Sequence, residues 1–181
     1  MKNITIDTDE EERRRLKALS EYRILGTEPE SCYDDITQIA ARTCHVPISL
    51  MTLVDKDRQW FKSKVGFQTN ETRRDWSFCT HAIKENHPLV VNDACLDKRF
   101  VNNPLVTGDP KIRFYAGFPL KNNDGNKLGT LCVIDRKPGT LDEEQCSIME
   151  HCSASRLPGF LSITHKVPNL FPSLFFKGKP A

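Results

Sequence analysis

The sequence predicts an α+β domain built on an antiparallel sheet. Its strand-like runs follow one another through connections of a few residues, too short for the crossover that parallel neighbours need. One connection, Asn122-Asn123-Asp124-Gly125, ends in an Asp-Gly pair that tolerates the positive φ of a tight hairpin. The longer helical patterns lie at the ends, before the first strand and after the last.

Residues 9–25 read as a helix. Leu16, Leu19, Tyr22 and Leu25 recur every three positions, and Asp9-Arg13, Glu10-Arg14 and Glu11-Arg15 are acid-first pairs at i,i+4. This predicts one apolar and one solvated, charged face. A second helix is expected from Ser31 to Cys44, with Tyr33, Ile36, Ile39 and Ala40 inward and Pro47 blocking continuation. Ile48 to Val54 is apolar at alternate and intervening positions, the pattern of a central strand covered on both faces. Asp55 to Arg58 is a hairpin loop, and Trp60 to Val65 returns as a strand ended by Gly66.

Ser77 can cap a short helix running through His81 towards Glu85, and Leu89-Val90-Val91 is a brief strand after Pro88. Asn102, Asn103, Pro104, Gly108, Asp109 and Pro110 mark the stretch from Asp93 to Lys111 as loop. Ile112 to Leu120 and Lys127 to Asp135 are the two strands of the Asp-Gly hairpin. Thr140 with Glu143 predicts a capping box opening the final helix, and Pro158 ends it early.

A chain of 181 residues with 38% hydrophobic and 28% charged side chains is one ordinary domain, or a domain with a tail. No apolar run reaches the roughly 18 residues of a spanning helix. The amino terminus lacks an apolar signal core, so a cytoplasmic chain is expected. The seven cysteines (Cys32, Cys44, Cys79, Cys95, Cys132, Cys146, Cys152) are odd in number and form no Cys-x-x-Cys pair, which argues for reduced thiols. A net charge of +2 calls for neither nucleic acid nor membrane as partner. After Glu150 there are four basic residues and no acid, with Pro158, Pro168, Pro172, Pro180, Phe160, Phe171, Phe175 and Phe176. The organisation expected is a flexible segment 1–9, a domain over 10–153 and an irregular Pro/Phe-rich basic tail over 154–181.

Four ordered segments carry a family resemblance: Asp55 to Ser63 (DKDRQWFKS), Ser77 to Ile83 (SFCTHAI), Arg113 to Leu120 (RFYAGFPL) and Leu128 to Asp135 (LGTLCVID). Over Glu12 to Met149 the chain resembles GAF domains, closest to the modules of bacterial diguanylate cyclases and sensor histidine kinases. The resemblance implies a six-stranded antiparallel sheet with terminal helices on one face and a small-molecule pocket on the other. It also implies a non-catalytic sensory role, in which a ligand between the sheet and the Asp75 to Asn103 region biases the packing of the terminal helices. A homodimer and a separate signalling output protein are the partners expected, since no cyclase, kinase or DNA-binding segment follows.

The resemblance leaves the ligand unknown. Bilin-binding relatives place a cysteine directly before a histidine on the pocket helix, whereas Thr80 separates Cys79 from His81, about 200° apart on a helix. The Asn-Lys-Phe-Asp-Glu constellation of cyclic-nucleotide binders finds no place here. Free methionine-R-sulfoxide reductases are the enzymatic relatives, and their loop for the catalytic cysteine reads Asn103 to Pro110 here, without one. Such a thiol enzyme and a ligand-free dimerisation scaffold are the alternatives.

The candidate ligand residues are Trp60, Asp75, Cys79, His81, Asp93, Arg113 and Tyr115. No catalytic or metal residue is assigned. Several have a plainer reading. Cys79 and His81 can be packing residues; Asp93 can brace its own loop; only one of Trp60 and Phe61 can face a pocket on the sheet. Arg113 and Tyr115, two apart, share one face if both lie on the strand.

Overall fold

The computed structural model describes residues 8–154. The expected tail, beyond residue 154, and nearly all of the segment 1–9 lie outside the described residues, as does Pro158. The chain folds as α1 (Thr8–Glu21), α2 (Ser31–Thr43), β1 (Ile48–Val54), β2 (Arg58–Val65), β3 (Glu71–Arg73), a 3-10 turn (Arg74–Trp76), α3 (Phe78–Ala82), β4 (Leu89–Val91), α4 (Pro104–Thr107), β5 (Phe114–Lys121), β6 (Lys127–Asp135) and α5 (Glu143–Ala154). The six strands form one sheet in the order β3-β2-β1-β6-β5-β4, and every neighbouring pair is antiparallel.

All seven residues of β1 are buried, as expected of a strand covered on both faces. Met51 and Leu53 enter the core beneath α1, α2 and α5 with Leu19, Tyr33, Trp60, Phe118, Leu131 and Met149. Ile48, Leu50 and Val54 enter a second core on the opposite face, with Phe61, Phe78, Cys79, Phe100, Tyr115 and Cys132. The two cores, one behind each face, account for the near-continuous apolar runs of β1 and β6.

Four expectations are corrected. Helix α1 stops at Glu21, where the chain turns through Arg23 (φ 49°) and Gly26 (φ 74°), although Leu25 still packs on the core. Arg13 pairs with Glu10 and Arg15 with Glu12, each at i,i+3, so the expected Glu11-Arg15 pair gives way to Glu12-Arg15, and Arg15 is buried rather than solvated. In α2 the buried stripe is Tyr33, Thr37, Ala40 and Ala41, while Ile39 faces solvent. The Thr37 hydroxyl is tolerated inside because it bonds Ser63 Oγ at 2.7 Å. The capping box of α5 is Asp142 with Gln145, each side chain accepting the other's backbone N–H at 2.7 and 3.0 Å, so the box lies two positions later than Thr140 and Glu143 predict.

Strand β3 and helix α4 had no apolar periodicity to announce them. β3 is a three-residue edge strand, with Glu71 and Arg73 exposed beside β2. α4 is held by Asn103, whose Oδ1 accepts from Leu105 N at 2.9 Å while its Nδ2 donates to Trp76 O at 2.9 Å. Gly66 ends β2 at φ 70°, where a β-carbon would overlap the Pro47 carbonyl.

Candidate functional site

Ser77 sets the start of α3: its Oγ accepts from Thr80 N at 3.1 Å and donates to Gln59 Oε1. This cap turns Phe78, Cys79 and Ala82 inward onto the sheet. Phe78 stacks on Phe100 with centroids 3.9 Å apart and lies 5.1 Å from the Tyr115 ring. Aromatic rings thus close most of the space between α3 and the sheet.

Cys79 Sγ accepts the Tyr115 hydroxyl at 3.3 Å and the Thr130 hydroxyl at 2.9 Å, and Thr130 Oγ1 lies 3.1 Å from Thr52 Oγ1. Tyr115 reaches the sulfur because Gly117, two positions along β5, leaves room for its phenol; a β-carbon there would overlap the Tyr115 hydroxyl. Burial works against the Cys79 thiolate, but hydrogen bonds from Cys132, Thr130, Thr52 and Tyr115 outweigh it and bring its pKa down to about 6. Burial and the adjacent Cys79 charge push Tyr115 well above its usual value, and burial with the Cys79 hydrogen bond does the same to Cys132. Cys79 is therefore the first of the three to ionise.

The space enclosed beside this cluster is small. A cavity of about 20 Å³ is lined by Phe61, Phe67, Phe78, Cys79, Tyr115 and their neighbours, room for roughly one water. The roomy hollow expected under α3 is filled by aromatic side chains. Larger space lies at the sheet edge, where a cleft of about 560 Å³ runs between β2–β3 and the α4 loop, within the ~300–1,000 Å³ typical of ligand sites. Phe67, Thr72 and Leu105 line both spaces. Thr72 Oγ1 is buried between them and has no hydrogen-bond partner among the described residues.

Three arginines and three carboxylates line the cleft with Trp76. Arg58 pairs with Glu71 at 2.6 Å and Asp55 at 3.3 Å, and Arg73 pairs with Asp75 while lying 5.5 Å over the Trp76 ring. Arg136 donates from Nε to Pro110 O at 3.1 Å and forms no ion pair among the described residues. The 3-10 turn that carries Trp76 connects to α1 through Arg74. Its Nη1 donates to Glu12 Oε1 at 2.7 Å and to Asp55 O at 3.0 Å, and its carbonyl accepts the Thr80 hydroxyl of α3 at 3.1 Å.

Of the seven candidate residues, the structure brings Cys79 and Tyr115 together. Trp60 belongs to the core beneath the terminal helices, because strand alternation gives the other face to Phe61. Asp75 points to solvent in its pair with Arg73. His81 packs edge-on against Phe100 at 5.0 Å, and burial with nearby Lys84 and Arg99 lowers its pKa. Asp93 braces its loop by accepting from Cys95 N at 2.9 Å. Arg113 precedes β5 and ties the α4 loop, donating to Val106 O and Ile112 O at 2.9 Å. Sequence reasoning passed over Thr52, Thr72, Trp76, Thr130 and Arg136. A hydroxyl recurring inside otherwise apolar β1 and β6 was the signal for Thr52 and Thr130. Among the described residues no three His, Cys, Asp or Glu side chains gather to hold a metal ion, and no helix is long and apolar enough to cross a membrane.

The chain is 40% identical over 143 residues to a cyclic di-GMP phosphodiesterase of Pseudomonas aeruginosa, a match covering 78% of this chain and 24% of that protein. It thus spans about a quarter of that relative's length. Its fold is similar to the type II free methionine-R-sulfoxide reductase of Thermoplasma acidophilum, with a TM-score of 0.59 at 13% identity over 72% of this chain and 90% of that one. It is also similar to the GAF domain of an Acinetobacter phosphoenolpyruvate-protein phosphotransferase, with a TM-score of 0.58 at 15% identity over 85% of this chain and 90% of that one. At these identities the two structures speak to the fold alone. With the GAF domain pattern matching residues 28–155, an antiparallel sheet in the order β3-β2-β1-β6-β5-β4 and terminal helices packed on one face, the chain belongs to the GAF domain family.

Proposed function

We propose that this chain is a non-catalytic regulatory module that takes a small polar ligand in the cleft between β2–β3 and the α4 loop. The observation that carries the reading is the unpartnered Thr72 hydroxyl, buried where the cleft meets the small cavity. A buried orphan hydroxyl costs free energy that a ligand's hydrogen bond recovers. Trp76 offers a stacking face and Arg136 a guanidinium that forms no ion pair among the described residues, which suits a planar or aromatic ligand bearing a carboxylate or phosphate.

Ligand contact with Trp76 acts next to Arg74, and Arg74 grips Glu12 on α1. The signal is a shift between two packings of the terminal helices, read by an output partner or by a second copy of the chain in a homodimer. Similarity to a cyclic di-GMP phosphodiesterase makes cyclic di-GMP turnover the output to test first. Native mass spectrometry of the full chain decides the core of this reading. A small molecule released on unfolding, and retained less by Thr72→Val and Arg136→Ala, supports it. A chain that stays empty and does not respond to planar anions in thermal-shift assays overturns it.

A second reading, a thiol reductase, draws on the lowered Cys79 pKa. Consumption of free methionine sulfoxide, lost in Cys79→Ser, would establish it.

A further inference from the structure

The cluster around Cys79 holds no part of the edge cleft, and its composition calls for its own account. Apolar side chains would fill the space under α3 at lower cost than buried thiols and hydroxyls. Instead two thiols from separate elements, Cys79 on α3 and Cys132 on β6, share one core: Cys79 Sγ takes the hydroxyl of Thr130, which lies two positions from Cys132 on the same face of β6, and the hydroxyl of Tyr115, which lies over Gly117, the residue paired with Cys132. Both cysteines are free and buried. A cavity of about 20 Å³ lined by Cys79 lies beside this cluster and shares Phe67, Thr72 and Leu105 with the edge cleft.

We propose that Cys79 and Cys132 are a redox pair that closes into a disulfide when a small hydroperoxide, hydrogen peroxide above all, enters the cavity beside Cys79. The Cys79 thiolate attacks one peroxide oxygen, the O–O bond breaks, and hydroxide leaves and takes up the proton Cys79 had released, giving water and a sulfenic acid. The Cys132 sulfur then attacks that sulfur, the S–S bond forms, the S–O bond breaks, and the second oxygen departs as water with the Cys132 proton. Two thiols and one hydrogen peroxide yield one disulfide and two waters, the peroxide taking both electrons.

Cys79 is the attacking sulfur because Thr130 and Tyr115 both donate to it, and its lowered pKa keeps it ionised near neutrality. Cavity size sets the oxidant: hydrogen peroxide is little larger than the water the space admits, whereas an aryl hydroperoxide does not fit. Closure fixes the five-residue α3 against β6. Thr80 carries the change to Arg74, and Arg74 to Glu12 of α1. This reading does not depend on the ligand proposal, since Arg136, Trp76 and the cleft have no part in the bond.

The test uses the full chain carrying Cys95→Ser, which removes the exposed thiol. The reduced protein is treated with hydrogen peroxide or cumene hydroperoxide, free thiols are blocked, and the digest is mapped by mass spectrometry. Hydrogen peroxide is expected to give a peptide pair joined through Cys79 and Cys132, and cumene hydroperoxide the same pair at least about tenfold more slowly. Cys132→Ser is expected to leave a dimedone-reactive sulfenic acid on Cys79; should that variant not fold, the linkage map of the Cys95→Ser chain decides alone. The proposal is overturned if Cys79 and Cys132 remain free thiols while Cys32, Cys146 or Cys152 oxidises, or if Cys79 joins a different cysteine.

Discussion

Glu12 on α1 and Arg74 on the turn before α3, 62 positions apart in sequence, meet at 2.7 Å. Glu12 also holds Arg15 at 2.8 Å, so one carboxylate ties the first helix to the element that borders both the cleft and the thiol cluster. No other direct side-chain link between α1 and the α3 side of the sheet is needed for the two faces to communicate.

Although burial opposes its charge, hydrogen bonds from Arg15 and Arg74 lower the Glu12 pKa from 4.5 to about 2. A carboxylate depressed in the folded state contributes stability that is present above its unfolded pKa and lost as pH falls through the folded value. The contribution is therefore complete above about pH 4.5 and disappears towards pH 2. With the Glu12 side chain 32% exposed, solvent screening reduces it to about 1 kcal/mol. Urea unfolding of wild type and Glu12→Gln across this range should show a difference at pH 6 that vanishes near pH 2; a constant difference would refute the assignment.

Cys79 behaves in the same sense at higher pH. Its thiol is an acid whose folded pKa, about 6, lies below the reference 9.0, so the unfolded chain binds more protons between these values and stability rises with pH there. Replacing Cys79 by Ser should flatten that rise. Tyr115→Phe removes one donor to the sulfur, should cost about 1 kcal/mol, and should shift the thiolate absorbance of Cys79 to higher pH.

Thr72→Val replaces an orphan buried hydroxyl by a methyl group of the same shape. The empty chain should gain up to about 1 kcal/mol, read as a higher urea midpoint. If the same variant loses a wild-type ligand, the hydroxyl belongs to the site; stabilisation without any loss of binding confines it to packing.

Lys62 is 1% exposed at its side chain and is fully engaged: it pairs with Glu30 at 2.6 Å and donates to Thr27 Oγ1 at 2.7 Å and Glu28 O at 2.8 Å. It pins the α1–α2 connection to β2. Lys62→Ala strips those partners and the packed stem together and should cost about 2–3 kcal/mol. Amide exchange should accelerate first at residues 26–30, and uniform acceleration would place the loss elsewhere.

The long elements were legible in sequence because each has a face to bury. β1 and β6 lie between two cores, so their runs are apolar at nearly every position, and the Asp-Gly turn fixes the β5–β6 partnership. β3 and α4 were not legible: each is too short to set a period, and each is held by main-chain pairing or by Asn103 rather than by its own burial. The candidate site was legible in part. Cys79 and Tyr115 meet in the structure, while Trp60, Asp75 and Asp93 were drawn to the core, to Arg73 and to the local backbone.

The sequence by itself determined the α+β class, the strand directions and the family, because hydrophobic period and turn chemistry are local properties written in neighbouring residues. Only the tertiary structure decided that aromatic rings fill the space under α3, that the larger cleft lies at the β2–β3 edge, and that Cys79, Tyr115, Thr130 and Cys132 gather in one core. Those outcomes depend on which side chains from distant strands compete for the same volume, and a competition in three dimensions leaves no period in one.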